Sequence, residues 1–122
     1  LQGACDELKR NSVDFSVIDV PGALEIPVAI KIIYESGSYD GFIALGCVIR
    51  GETSHYDIVC NESASGLTRL SLDHNIAIGN GILTCDTKEQ ALERARPDRK
   101  NKGKDAAQAV LKIIELKEKY KS

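Results

Sequence analysis

Gly46 to Asp57 reads GCVIRGETSHYD and gathers Arg50, Gly51, Thr53, Ser54 and His55 where an apolar run hands over to a helical pattern. In open α/β sheets, ligands bind beyond the carboxyl ends of the strands. The first turn of a following helix adds unpaired N–H groups and the positive end of its dipole, which suits an anion. A histidine at the same place moves protons near neutral pH. This one segment therefore offers both an anion pocket and an acid/base.

That handover needs a strand before it and a helix after it. Gly41 to Ile49 is almost continuously apolar, the pattern of a strand buried on both faces. Asp57 to Leu72 reads as a long helix with Ile58, Leu67, Leu70 and Leu72 among its apolar residues. Upstream, Leu1 to Arg10 carries Leu1, Ala4, Cys5 and Leu8 on one helical face, and the alternating, β-branched Val13 to Val20 reads as a strand. Pro21-Gly22 punctuates it. Ala23 to Ser36 is helical, with Pro27 early enough to be tolerated and Gly37 as its stop. Downstream, Ile76 to Thr84 reads as a strand and Thr87 as an N-cap, with Gln90 completing a capping box for a helix to about Ala95. Arg96 to Gly103 is a charged loop, and Asp105 to Lys119 the final helix.

This alternation predicts a layered α/β domain with a parallel sheet and no internal boundary across residues 1–122. Three strands are few for such a sheet, the opening helix has no strand before it, and Leu1 is not a methionine. The expectation is that the first strand is absent from the given chain. The natural polypeptide would then be longer by one strand, its loop and part of a helix, a unit of ~30 residues or more.

Composition excludes several classes of function. A net charge of −2 provides no broad basic footprint for nucleic acid, and no apolar run is long enough to span a membrane. No signal-peptide pattern is visible at Leu1. Cys5, Cys47, Cys60 and Cys85 are widely spaced with no C-x-x-C pair, so a zinc site is not expected. They read as buried, reduced thiols of a cytoplasmic protein.

Three further segments join the opening motif: VPGALEIP (Val20 to Pro27), NGILTCDTKEQALERA (Asn80 to Ala95) and NKGKDAA (Asn101 to Ala107). In this order and spacing the four closely resemble the 6,7-dimethyl-8-ribityllumazine synthase family, over essentially the whole chain. The resemblance implies a flavodoxin-like α/β/α sandwich around a four-stranded parallel sheet. It implies an enzyme of the penultimate step of riboflavin biosynthesis, condensing 5-amino-6-(D-ribitylamino)uracil with 3,4-dihydroxy-2-butanone 4-phosphate and releasing phosphate and water. No metal or organic cofactor is implied. The partners implied are the small-molecule substrates, further copies of the chain (a homopentamer, in some members twelve pentamers in an icosahedral shell) and riboflavin synthase. The resemblance places each active site between adjacent subunits.

The resemblance also assigns residues. His55 matches the proton-transferring histidine; read alone it is equally a solvated loop residue. Arg94 matches the phosphate-binding arginine; read alone it is a charge at a helix end. Gly51, Glu52 and Thr53 match the loop holding the same phosphate through backbone N–H groups and the Thr53 hydroxyl, with the Glu52 carboxylate turned away. Ala23, Leu24 and Glu25 match the segment that holds the ribityl-aminouracil, although Leu24 departs from a position more often aromatic in the family. Cys47, Val48 and Ile49 match the strand end whose backbone reads the pyrimidine edge. Asn80 and Lys102 match residues that reach the substrate from a neighbouring subunit, as the resemblance also implies for Arg94, and Asp105 matches an acidic position supporting the site. The family's first strand, with an aromatic residue that stacks on the pyrimidine, has no counterpart here. Leu24 leaves open a second reading, a flavin- or lumazine-binding module without turnover. A third is a generic, monomeric flavodoxin-like phosphate-binding domain.

Overall fold

The computed structural model describes residues 1–50, 55–96 and 100–121. In chain order the elements are α1 (Gln2–Arg10), a single 3-10 turn (Ala23–Glu25), α2 (Ile26–Glu35), β1 (Phe42–Ile49), α3 (His55–His74), β2 (Ile78–Cys85), α4 (Lys88–Ala95) and α5 (Lys102–Lys119). β1 and β2 pair in parallel, from Phe42 opposite Ile78 to Ile49 opposite Cys85. The twenty-residue α3 makes the long crossover that parallel neighbours require.

β1 is apolar throughout because it is covered on both faces. Alternate residues of a strand point to opposite sides. Ala44 joins Ile26 and Ile30 of α2, Leu67 and Leu70 of α3, and Ile76 and Ile78 in one buried cluster, with Phe42 packed against it. Ile43 and Leu45 pack instead against Ala4 and Leu8 of α1 and Ala107 of α5. The layers are thus α2 and α3, the sheet, then α1 and α5. The last two helices are tied by a buried carboxylate: Glu7 accepts from Arg10 at 2.5 Å, and from Asn11 and Gln108 at 3.3 Å each. α5 presses so closely on β2 that a Cβ at Gly79 would land on the carbonyl oxygen of Ala106.

Most expected elements appear within two or three residues of their expected bounds. α2 ends as expected before Gly37, which takes φ 74, a conformation that glycine adopts without strain. α5 begins earlier than its apolar pattern suggested. Asn101, at φ 50, caps it by accepting from the Lys104 N–H at 3.3 Å, which turns the end of the charged loop into helix.

Val13–Val20 corrects the sequence reading. It is extended and largely exposed, yet it forms no strand, and among the described residues 14–21 make no backbone–backbone hydrogen bond. Alternation reports a half-buried extended segment, but a strand exists only through a neighbour's ladder. The sheet therefore has two strands rather than three among the described residues. No helix among them is long and apolar enough to cross a membrane.

Candidate active site

Both strands end at the same level. The ladder continues one bond past Ile49, with the Arg50 N–H donating to the Cys85 carbonyl at 2.8 Å. Beyond it, His55 is the first residue of α3 and is exposed. Gly51, Glu52 and Thr53, the expected phosphate loop, lie outside the described residues. The 3-10 turn packs on α3 and reaches β1. Ala23, Leu24 and Glu25, the β1 end at Cys47, Val48 and Ile49, and His55 therefore sit on three adjoining elements. Ala23 leans on the core while Leu24 and Glu25 face outward. Of the four cysteines expected to be buried, Cys85 is; Cys5 and Cys60 are partly buried and Cys47 is exposed. Partial desolvation, and then the neighbouring Cys85, push the Cys47 thiol above its ordinary value. It stays protonated near neutral pH and is a poor nucleophile, which leaves the backbone of this strand end as its polar feature.

Asn80, Arg94 and Lys102 form a second group. They line one open groove of about 410 Å³ together with Gly81, Ile82, Leu83, Thr84 and Lys100. The peptide groups of β2 show which way this groove looks. The Ala77 and Cys85 carbonyls accept from Phe42 and Arg50. Odd-numbered carbonyls of β2 therefore point toward β1, and even-numbered groups point to the other edge. Asn80 covers the Ile82 N–H there, its Oδ1 accepting at 3.0 Å, and Arg94 covers the Thr84 carbonyl, its Nη1 donating at 3.1 Å. The same Nη1 lies 3.2 Å from Cys85 Sγ. Asn80 is also opposite Ala44, five residues before Ile49, which is about 16 Å along the strands. The two groups of expected site residues thus occupy different sides of β2. Lys102 lies 3.7 Å from Asp105, one turn along α5.

Arg94 is aimed by the start of its helix. Thr87 Oγ1 accepts from the Gln90 N–H at 3.1 Å, the N-cap read from the sequence. Gln90 Oε1 reaches back to the Asp86 N–H at 2.9 Å, one residue before the cap. Thr87→Ala removes one of these bonds and should cost about 1 kcal/mol, measured by urea unfolding. An unchanged midpoint would mean that α4 does not depend on its cap.

The opening motif by itself gives Arg50 no partner. The structure supplies several. Its Nε donates to Asp86 Oδ1 at 2.8 Å, its Nη1 lies 3.9 Å from Asp57 Oδ1, and its guanidinium carbon stands 4.4 Å from the centroid of the Tyr56 ring. The bond to Asp86 holds the guanidinium still further in its charged form. Asp86 lies 36 residues away in sequence, so no local pattern could have shown the pair.

The family model described as 6,7-dimethyl-8-ribityllumazine synthase matches residues 1–118. Proteins bearing that name are similar along nearly the whole chain. One from Erythrobacter litoralis is 51% identical over 118 residues, 97% of this chain and 84% of its own. One from Zymomonas mobilis is 52% identical over 119 residues, 98% of this chain and 85% of its own. One from Bartonella tribocorum is 51% identical over 121 residues, 98% of this chain and 80% of its own.

Proposed function

The chain belongs to the 6,7-dimethyl-8-ribityllumazine synthase family, and from that premise we propose how its residues divide the work. It is a transferase of the penultimate step of riboflavin biosynthesis. An amine of 5-amino-6-(D-ribitylamino)uracil attacks the ketone of 3,4-dihydroxy-2-butanone 4-phosphate, an imine forms with loss of water, phosphate departs, and a second carbonyl closes the ring. Each step moves protons. His55, exposed at the head of α3, is their carrier. Ala23, Leu24 and Glu25, with the backbone of Cys47, Val48 and Ile49, hold the aminouracil. Arg94 grips the phosphate with its planar guanidinium, together with Gly51, Glu52 and Thr53. Bringing two substrates together supplies much of the remaining acceleration.

The site is shared between copies of the chain, with Asn80, Arg94 and Lys102 serving a neighbour's His55. The observation that carries this reading is the orientation of Asn80 and Arg94 toward the edge of β2 that faces away from β1. A homopentamer closes such head-to-tail contacts into a ring. Val28 and Ile32, one turn apart on α2 and 57% and 65% exposed, support an apolar subunit contact. Four free thiols fit a cytoplasmic protein, and riboflavin synthase is the partner that would consume the product. The unladdered segment 13–20 and the open edge of β1 fit a further strand between them, within a single domain.

Mixing tests the shared site. Arg94→Ala alone raises KM for the butanone phosphate and leaves that for the aminouracil nearly unchanged. Unfolded and reassembled at equal amounts with His55→Ala, it regains about a quarter of native activity, because one neighbouring pair in four carries both intact groups. A site contained in one chain would regain none.

A further inference from the structure

We propose that Arg50 is a positioning residue of the reaction: its guanidinium, stacked on Tyr56 and paired with Asp86 and Asp57, sets the first turn of α3, and so His55, against the ends of both strands. This rests on the functional reading above. Tyr56 and Asp57 are the two residues after His55, so whatever fixes them fixes the start of the helix that carries the imidazole. Arg50 then joins three elements from one position: β1 through its own backbone, β2 through Cys85 and Asp86, and α3 through Tyr56 and Asp57. Asp86 also donates its N–H to Gln90, so the same knot reaches α4, which bears Arg94.

An arginine at a strand end beside an expected phosphate site invites another role, that of phosphate ligand. Its partners argue against this. Arg50 is engaged by two carboxylates, which offset its charge, whereas Arg94 meets the neutral Thr84 carbonyl and Cys85 thiol. The flat guanidinium suits the positioning task because it stacks on a ring and bonds in its own plane at once, which an ammonium cannot do.

The test uses the full-length protein, both substrates and the variants R50Q, R50K, D86N and R50Q/D86N. In R50Q, kcat falls roughly 10- to 100-fold while KM for the butanone phosphate moves less than about threefold, as a displaced acid/base rather than a lost phosphate ligand requires. R50K recovers part of the loss. D86N lowers kcat, and the double variant is no slower than R50Q, because both changes break one contact. The chain has two histidines, His55 and His74, so imidazole proton NMR gives a second readout with an internal control. R50Q displaces the His55 resonances and leaves those of His74 in place. Native kcat in R50Q, a KM effect alone, a loss accounted for entirely by unfolded protein, or unmoved His55 resonances would each overturn the proposal. If the native protein forms no lumazine, the functional reading fails by itself, and the NMR comparison still decides whether Arg50 holds His55.

Discussion

His55→Ala lowers kcat for lumazine formation by about 10² to 10⁴-fold, the usual contribution of a positioned acid/base, with KM for either substrate little changed. The expectation follows from where the residue sits. It is the first residue of α3, exposed, and flanked by the Arg50–Tyr56–Asp57 contacts that hold the turn behind it. Imine formation, phosphate loss and ring closure all need protons moved at neutral pH, and imidazole is the side chain whose ordinary titration range is centred there. Alanine is a better helix former than histidine, so α3 should survive the change. A melting temperature near that of the native protein would separate lost chemistry from lost fold. Catalysis at the native rate in a folded His55→Ala protein would remove His55 from the mechanism. A residual rate well above that in free solution is expected, since holding the two substrates together does not depend on the imidazole.

The largest structural effect is expected at Gly79. It pairs with Ile43 in the sheet and lies directly beneath α5, where an added Cβ would meet the Ala106 carbonyl oxygen and stand 2.9 Å from its carbonyl carbon. Both atoms are backbone, so no side-chain rotation can make room. Either α5 lifts or β2 bends. Gly79→Ala should cost about 1–3 kcal/mol and lower the melting temperature by roughly 5–15 °C. Gly46→Ala is the control. It makes the same substitution on β1, where the new methyl would stand 3.8 Å from the nearest side-chain atom, an ordinary contact. Its effect should be near zero, or slightly stabilising through the unfolded chain. Equal losses at both positions would show that α5 does not rest on β2 as closely as the geometry says. Because α5 begins at Lys102, Gly79→Ala should also weaken substrate binding before it unfolds the protein.

Much of this molecule is legible in its sequence. The continuous apolar run of β1 announced a strand covered twice, and Ala44 and Ile43 indeed serve opposite cores. Thr87 announced a helix start, and its hydroxyl makes the expected bond. The change of pattern after Ile49 located the end of β1, while the following helix begins at His55, two residues before its expected start. Such signals are local. Burial periodicity, caps and breakers are read within a few residues, so the chain writes them where they act.

What the sequence alone determined was therefore the order and type of nearly all elements and, through four short motifs, the family and its candidate residues. Tertiary structure decided what those residues face. Val13–Val20 alternates like a strand, but a strand is a relation to a neighbour, and its own sequence does not contain that neighbour. The resemblance assigns Asn80 and Arg94 to a neighbour's site, but only the ladder, which pairs residues far apart in sequence, shows that β2 turns both to the edge away from β1. Arg50 looks like an anion ligand until Asp86, 36 residues distant, engages it. In each case the deciding contact is non-local, and only the packed chain brings its two ends together.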